Sequence, residues 1–159
     1  MKHKQNGQVL IEAIVAISVA TIALLGILGL VSRSLTVNNQ IGEKLVASYL
    51  SAEGIEVVKN IIDTNHTNGN PWDNGIQDGS YEVTHSSTDL NVTAPGIPTL
   101  LTFENGMYGY NNSGKETIYS RVITIKKLAD SVKVESNVSW KSSSGDQSII
   151  LEDYFYNWR

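Results

Sequence analysis

From Ala13 to Val31 the chain carries no charged residue, and only Ser18, Thr21, Gly26 and Gly29 interrupt an otherwise aliphatic run. At about 1.5 Å per residue that run makes a helix of roughly 28 Å, close to the roughly 30 Å of a bilayer core. The pattern therefore predicts a membrane-spanning helix over 8–31. Beyond it, 32–63 lacks proline and repeats apolar residues at helical spacing, with Ile41, Leu45, Tyr49, Ala52, Ile55, Val58 and Ile62 on one row. A second row, Val46, Leu50, Val57 and Ile61, lies on another side. A helix apolar on two sides needs two partners, so one side is expected to cover a sheet of its own chain and the other to meet neighbouring subunits. Complete burial inside one core is the alternative. Gly42 and Gly54 each cost roughly 1 kcal/mol against alanine in a helix and mark either close packing or bends.

After Asp63 the pattern changes. Thr64 to Gly75 is turn chemistry, rich in Asn and Gly with Pro71, and the period then drops from helical to two. Strands are predicted at Tyr81–His85, Leu100–Phe103, Ile118–Lys127, Ser131–Lys141 and Gln147–Tyr156, the last three joined by short turns. Ser131–Lys141 alternates most clearly, with Val132, Val134, Val138 and Trp140 on one face and Lys133, Glu135, Asn137 and Lys141 on the other. The expected fold is α+β: a long N-terminal helix, membrane-spanning in its first half, packed on a small antiparallel β-sheet head. Four segments result, 1–7 as a leader, 8–31 as the span, 32–63 as the outer half of the helix and 64–159 as the head.

Composition narrows this picture without redrawing it. With 159 residues there is room for one small core, and with no cysteine there is neither disulfide nor thiolate metal site. A net charge of −4 with scattered basic residues leaves no footprint for a phosphate backbone. Lys2, His3 and Lys4 precede the span and Arg33 follows it, which favours a cytoplasmic N-terminus with the remainder outside. A cleaved secretory signal is the obvious competitor. Against it, the apolar run is longer than a signal h-region, no small-x-small site closes it, and helical pattern continues past Arg33.

One residue does not suit a simple span: Glu12 stands a few positions into the apolar run. A carboxylate deep in a span costs about 2.5–3.5 kcal/mol on insertion scales, less near a helix start that favours negative charge. What remains of the cost calls for a cationic partner.

The stretch Gly7-Gln8-Val9-Leu10-Ile11-Glu12, following a short basic leader and opening the apolar helix, resembles the prepilin signal of the type IV pilin and pseudopilin family. The resemblance implies cleavage between Gly7 and Gln8 by a membrane-embedded prepilin peptidase. Methylation of the new N-terminus, usual in the family, would fall on Gln8, where phenylalanine is the commonest residue. It further implies that Glu12 sets axial register by meeting the free N-terminus of a neighbouring subunit. The helix is expected to soften near Gly26 and Gly29. Partners implied are the peptidase, other pilin subunits, and indirectly an inner-membrane platform and assembly ATPase. The implied location is the cytoplasmic membrane, single pass, then a surface pilus or pseudopilus. The stretch Ala47 to Glu56 is similar to the pattern after the span in V-type minor pilins and I-type secretion pseudopilins; a minor pilin is preferred to a major one, with a type II secretion pseudopilin as an alternative. The reading from another class is a single-span, membrane-anchored extracytoplasmic binding module that does not polymerise.

No HExxH, GxSxG, Walker A or paired-cysteine pattern occurs, so no enzymatic activity, cofactor or metal is expected. The oxygen-rich loop Asp63–Asp78 fails the calcium-loop template, with Asn68 and Asn74 where the central glycine and closing glutamate belong. Four sequons, at Asn65, Asn91, Asn111 and Asn137, are no more than an Asn/Ser/Thr-rich chain produces. The aromatic end, Tyr154 to Arg159, is expected to close the core with alternate residues, the alternative being an adhesive or partner-docking edge.

Overall fold

A computed structural model of the chain describes residues 4–90, 98–111 and 113–157, with side chains from residue 7. Lys2 and His3 of the leader, the Asn91 sequon, Asn112 of the next one, and Trp158 and Arg159 lie outside the described residues. The chain divides into two compact units, Met1–Gly42 and Glu43–Arg159. The described residues of the first, 4–42, are helix; the second holds the rest of that helix and the head.

Helix α1 runs from Lys4 to Thr67, four residues past the expected end. Its terminus is chemical. Gly69 adopts a left-handed φ of 72°, so that Gly69 N–H reaches His66 O at 3.1 Å and Asn70 N–H reaches Asn65 O at 3.0 Å. These two bonds satisfy carbonyls that a helix end leaves free, and Pro71 follows where continuation would need an N–H. The Asn65 side chain then donates to Trp72 O and Asn74 O, folding the loop back under the helix end.

Six strands follow: β1 Gly79–Tyr81, β2 Leu100–Glu104, β3 Met107–Gly109, β4 Lys115–Lys127, β5 Ser131–Ser142 and β6 Gly145–Tyr156. They form one antiparallel sheet in the order β3-β2-β4-β5-β6, with β1 pairing the far end of β4 on the side it shares with β2. The fold is thus the α+β arrangement expected: a long N-terminal helix, apolar in its first part, whose residues from Ala47 to Ile62 pack on an antiparallel sheet. Two strands depart from expectation. The segment Tyr81–His85 is strand only as far as Tyr81, because Thr84 and Ser87 close a turn through Thr84 N–H to Ser87 Oγ and Ser87 N–H to Thr84 O. β3 lies outside the expected strands; it arises from the Asn105-Gly106 turn, with φ of 52° and 85°, the pair of left-handed residues that a two-residue hairpin demands.

The core divides in two. Val57, Val58, Ile61 and Ile62 of the helix pack with Ile76, Tyr81, Val83, Ile123, Ile125, Val132 and Val134, while Ala47 and Leu50 pack with Leu101, Tyr119, Val138 and Trp140. The alternation read in β5 holds, and the second helical row supplies Leu50, Val57 and Ile61 to this core. The first row divides: Val58 and Ile62 are buried, whereas Ile41, Leu45 and Tyr49 are 60%, 54% and 70% exposed.

Between the two apolar clusters lies a polar belt. Ser51 Oγ donates to Ser136 O at 2.8 Å, and the fully buried Arg121 donates to Leu50 O at 2.8 Å and Val83 O at 2.6 Å. Arg121 also lies 3.3 Å from Glu53. Its own carbonyl accepts the Tyr110 hydroxyl at 2.9 Å. Gly54 sits at a close approach of helix and sheet: a Cβ there would stand 2.5 Å from Ile123 Cδ1 and 2.7 Å from Ser136 Oγ. Gly54 is a close-packing point, whereas a Cβ at Gly42 would meet nothing within 4 Å.

Burial pushes the Tyr110 phenol up to about 12, above the roughly 10 of an unfolded tyrosine. The stability carried by the neutral, buried phenol is therefore fully present below about pH 10 and is lost as pH rises through about 12. In an ultraviolet absorbance titration of the folded chain, part of the phenolate signal is expected to come only with alkaline unfolding in that window. Tyr110→Phe should shrink that delayed part; an unchanged high-pH limb would refute the assignment.

Candidate functional site

Glu12 is the single charge between Lys4 and Arg33, and the helix places it in a definite relation to the predicted cut. Gly7 and Gln8 lie in the opening turns of α1, and Glu12 follows Gln8 by four residues, one turn further along the same face. Among the described residues a Cβ at Gly7 would meet nothing within 4 Å, so their packing does not require glycine there. All side chains described from residue 7 to residue 39 are exposed. In the apolar run the two hydroxyls bond to the helix's own backbone: Ser18 Oγ donates to Ile14 O and Thr21 Oγ1 to Ile17 O, both at 2.7 Å. Neither then presents an unsatisfied donor to an apolar medium. The helix continues unbroken through Gly26 and Gly29, and a Cβ at either would meet nothing within 4 Å.

The loop weighed as a calcium site has other work for its carboxylates. Asp73 accepts from Lys127 Nζ, and Asp78 Oδ1 accepts from the Lys127 backbone N–H at 2.6 Å. The Lys127 hydrogen bond holds the Asp73 carboxyl below the usual carboxylate range. Both contacts pin the loop to the end of β4. Among the described residues no group of three His, Asp or Glu side chains converges. The Asn65 sequon falls on the side chain that organises the helix end, and Asn137 lies mid-strand in β5.

Sequence reasoning passed over Arg121 and its partners, although a signal was available. In β4 the alternation Tyr119, Arg121, Ile123, Ile125 sets an arginine on the inward face of a strand. A charge at such a position is rarely buried without partners.

Structure and chemistry together define a class: an α+β chain whose N-terminal helix is long and apolar enough to cross a membrane, compatible with single-pass anchoring. Compared with protein-family models, curated proteins and solved structures, the chain finds no match.

Proposed function

We propose that the chain is a type IV pilin-like structural subunit, of the minor kind, processed by a prepilin peptidase and assembled into a pilus or pseudopilus. The observation that carries this reading is the conjunction at the start of α1. A glycine that packing among the described residues does not require stands in the opening turns of an exposed helix whose one charge before Arg33 is Glu12. Cleavage after Gly7 would give Gln8 an α-amino group, with an ordinary pKa of roughly 7.7–8 and hence largely cationic at neutral pH. That charge would answer Glu12 of the next subunit, while the apolar surface of 13–31 would exchange lipid for neighbouring helices. The half-exposed row Ile41, Leu45 and Tyr49 continues the apolar surface beyond the span and suits the same bundle. Membrane storage with the head outside, and a separate platform and ATPase to drive assembly, belong to this reading.

Gly7→Phe tests it. The chain is expected to keep its full precursor mass, while the native chain loses the leader and begins at Gln8 by mass spectrometry. Surface filaments should lose the protein. Glu12→Ala should insert and be cleaved normally yet enter filaments poorly. If Gly7→Phe changes neither mass nor localisation, the chain is no prepilin.

A further inference from the structure

Cleavage after Gly7 would leave Gln8 as the first residue, and the chemistry of a glutamine in that position is unlike that of any aliphatic or aromatic residue. Its amide carbon Cδ lies where attack by its own α-nitrogen closes a five-membered ring with little strain. Nothing in the fold stands in the way. Gln8 is exposed, as is every residue from Val9 to Glu12. Ring closure turns only the side-chain torsions of Gln8 and its free amine, so α1 stays helical from Val9 onward.

The new amine is also released from the helix. Within α1 the acceptor for the Gln8 N–H is the carbonyl four residues back, that of Lys4, and the cut removes it with the leader. The α-nitrogen is then one of the helix-start donors that have no partner in their own helix. With an ordinary pKa of roughly 7.7–8, about a tenth of such amines are neutral at pH 7 and ready to attack.

We propose, resting on cleavage after Gly7, that Gln8 closes to a pyrrolidone ring while the chain is stored in the membrane, and that closure withdraws the chain from assembly. The neutral α-amine attacks Cδ and forms the new C–N bond. A proton passes through interfacial water from the α-nitrogen to Nε2, the Cδ–Nε2 bond breaks, and ammonia leaves. The lactam nitrogen carries no charge. Glu12 is the only ionisable side chain from Gly7 to Ser32, so the α-amine is the only cation this part of the chain has to offer. A closed chain keeps its own Glu12 to receive a neighbour's charge but has none to give Glu12 of the next subunit. It becomes one-sided, fit to end a filament and unfit to extend one.

The test follows the full chain, isolated separately from membranes and from sheared filaments, by mass spectrometry of the N-terminal peptide and chemical labelling of the α-amine. Ring-closed ends, lighter by one ammonia and unlabelled, are expected to accumulate in the membrane pool once synthesis is stopped. In filaments they should be about tenfold scarcer, the factor for one lost charge-assisted hydrogen bond. Gln8→Asn keeps the amide but offers only a strained four-membered ring, so its α-amine should persist and its stored pool should go on entering filaments. A chain that begins at Gln8 and keeps its α-amine, free or methylated, throughout storage would overturn this proposal and leave the prepilin reading intact. Ring-closed ends as frequent in filaments as in membranes would also overturn it. Retention of the leader on every chain would overturn both.

Discussion

Arg121→Met is expected to destabilise the head by about 3 kcal/mol, the low end for two hydrogen bonds from a charged donor. The guanidinium is fully buried and joins three segments that are distant in sequence: Leu50 and Glu53 on the helix, Val83 after β1, and its own strand β4. Hydrogen bonds from a charged donor contribute roughly 1.5–3 kcal/mol each. Leu50 O also lies within the helix and keeps that ladder, but Val83 O is held in an irregular segment and would be orphaned. Glu53 is a third exposed and recovers water, so the loss comes chiefly from the carbonyls and the space the guanidinium leaves. Arg121→Lys should recover little, since an ammonium lacks the planar fork that reaches two carbonyls at once. Denaturant unfolding of the full chain in micelles, followed by near-ultraviolet circular dichroism, measures this. A loss below about 1 kcal/mol for Arg121→Met would show that the belt is ornamental to stability.

The second large effect is expected at Gly54. Here two terms oppose each other: alanine stabilises a helix by roughly 1 kcal/mol over glycine, and overpacking a filled core costs about 1–3 kcal/mol. At Gly42, where a Cβ meets nothing, only the first term acts, and Gly42→Ala should leave the chain as stable or slightly more so. At Gly54 the new Cβ falls 2.5 Å from Ile123 Cδ1 and 2.7 Å from Ser136 Oγ. Ile123 is fully buried in the first cluster, so its methyl has little room to swing away. Gly54→Ala should therefore be destabilising despite its better propensity, and Gly54→Leu should lose about 3 kcal/mol and separate helix from sheet. Equal behaviour of alanine at Gly42 and Gly54 in the same unfolding experiment would contradict the close approach.

What the residues disclosed beforehand follows from how far each signal reaches along the chain. The apolar run 13–31 needs nothing outside itself to be read, because bilayer thickness and helix rise are constants. The alternation of β5 is equally local, since one buried face repeats every second residue. The Asn105-Gly106 hairpin was just as legible, and β3 was passed over because its strand is three residues long and carries no pattern of its own. The helix end was set short because composition changes at Asp63, whereas the capping glycine that stops the helix is Gly69. The strand expected over Tyr81–His85 gave way because the Thr84–Ser87 hydroxyls close a turn that competes with the sheet ladder.

The sequence by itself determined the division of the chain into an apolar helix and a small antiparallel head, and it placed Gly7, Gln8 and Glu12 at the start of that helix. These are properties of near neighbours, on which helical and strand periods depend. Only the tertiary structure decided which side of the helix meets the sheet. It decided that Gly54 is a point of contact and Gly42 is not, and that Arg121 is held between clusters rather than in solvent. It also decided that β6 and β3 stand at the two ends of the strand order. Each of these depends on pairs of residues tens of positions apart, whose meeting is fixed by packing and strand order; no window along the chain contains both partners.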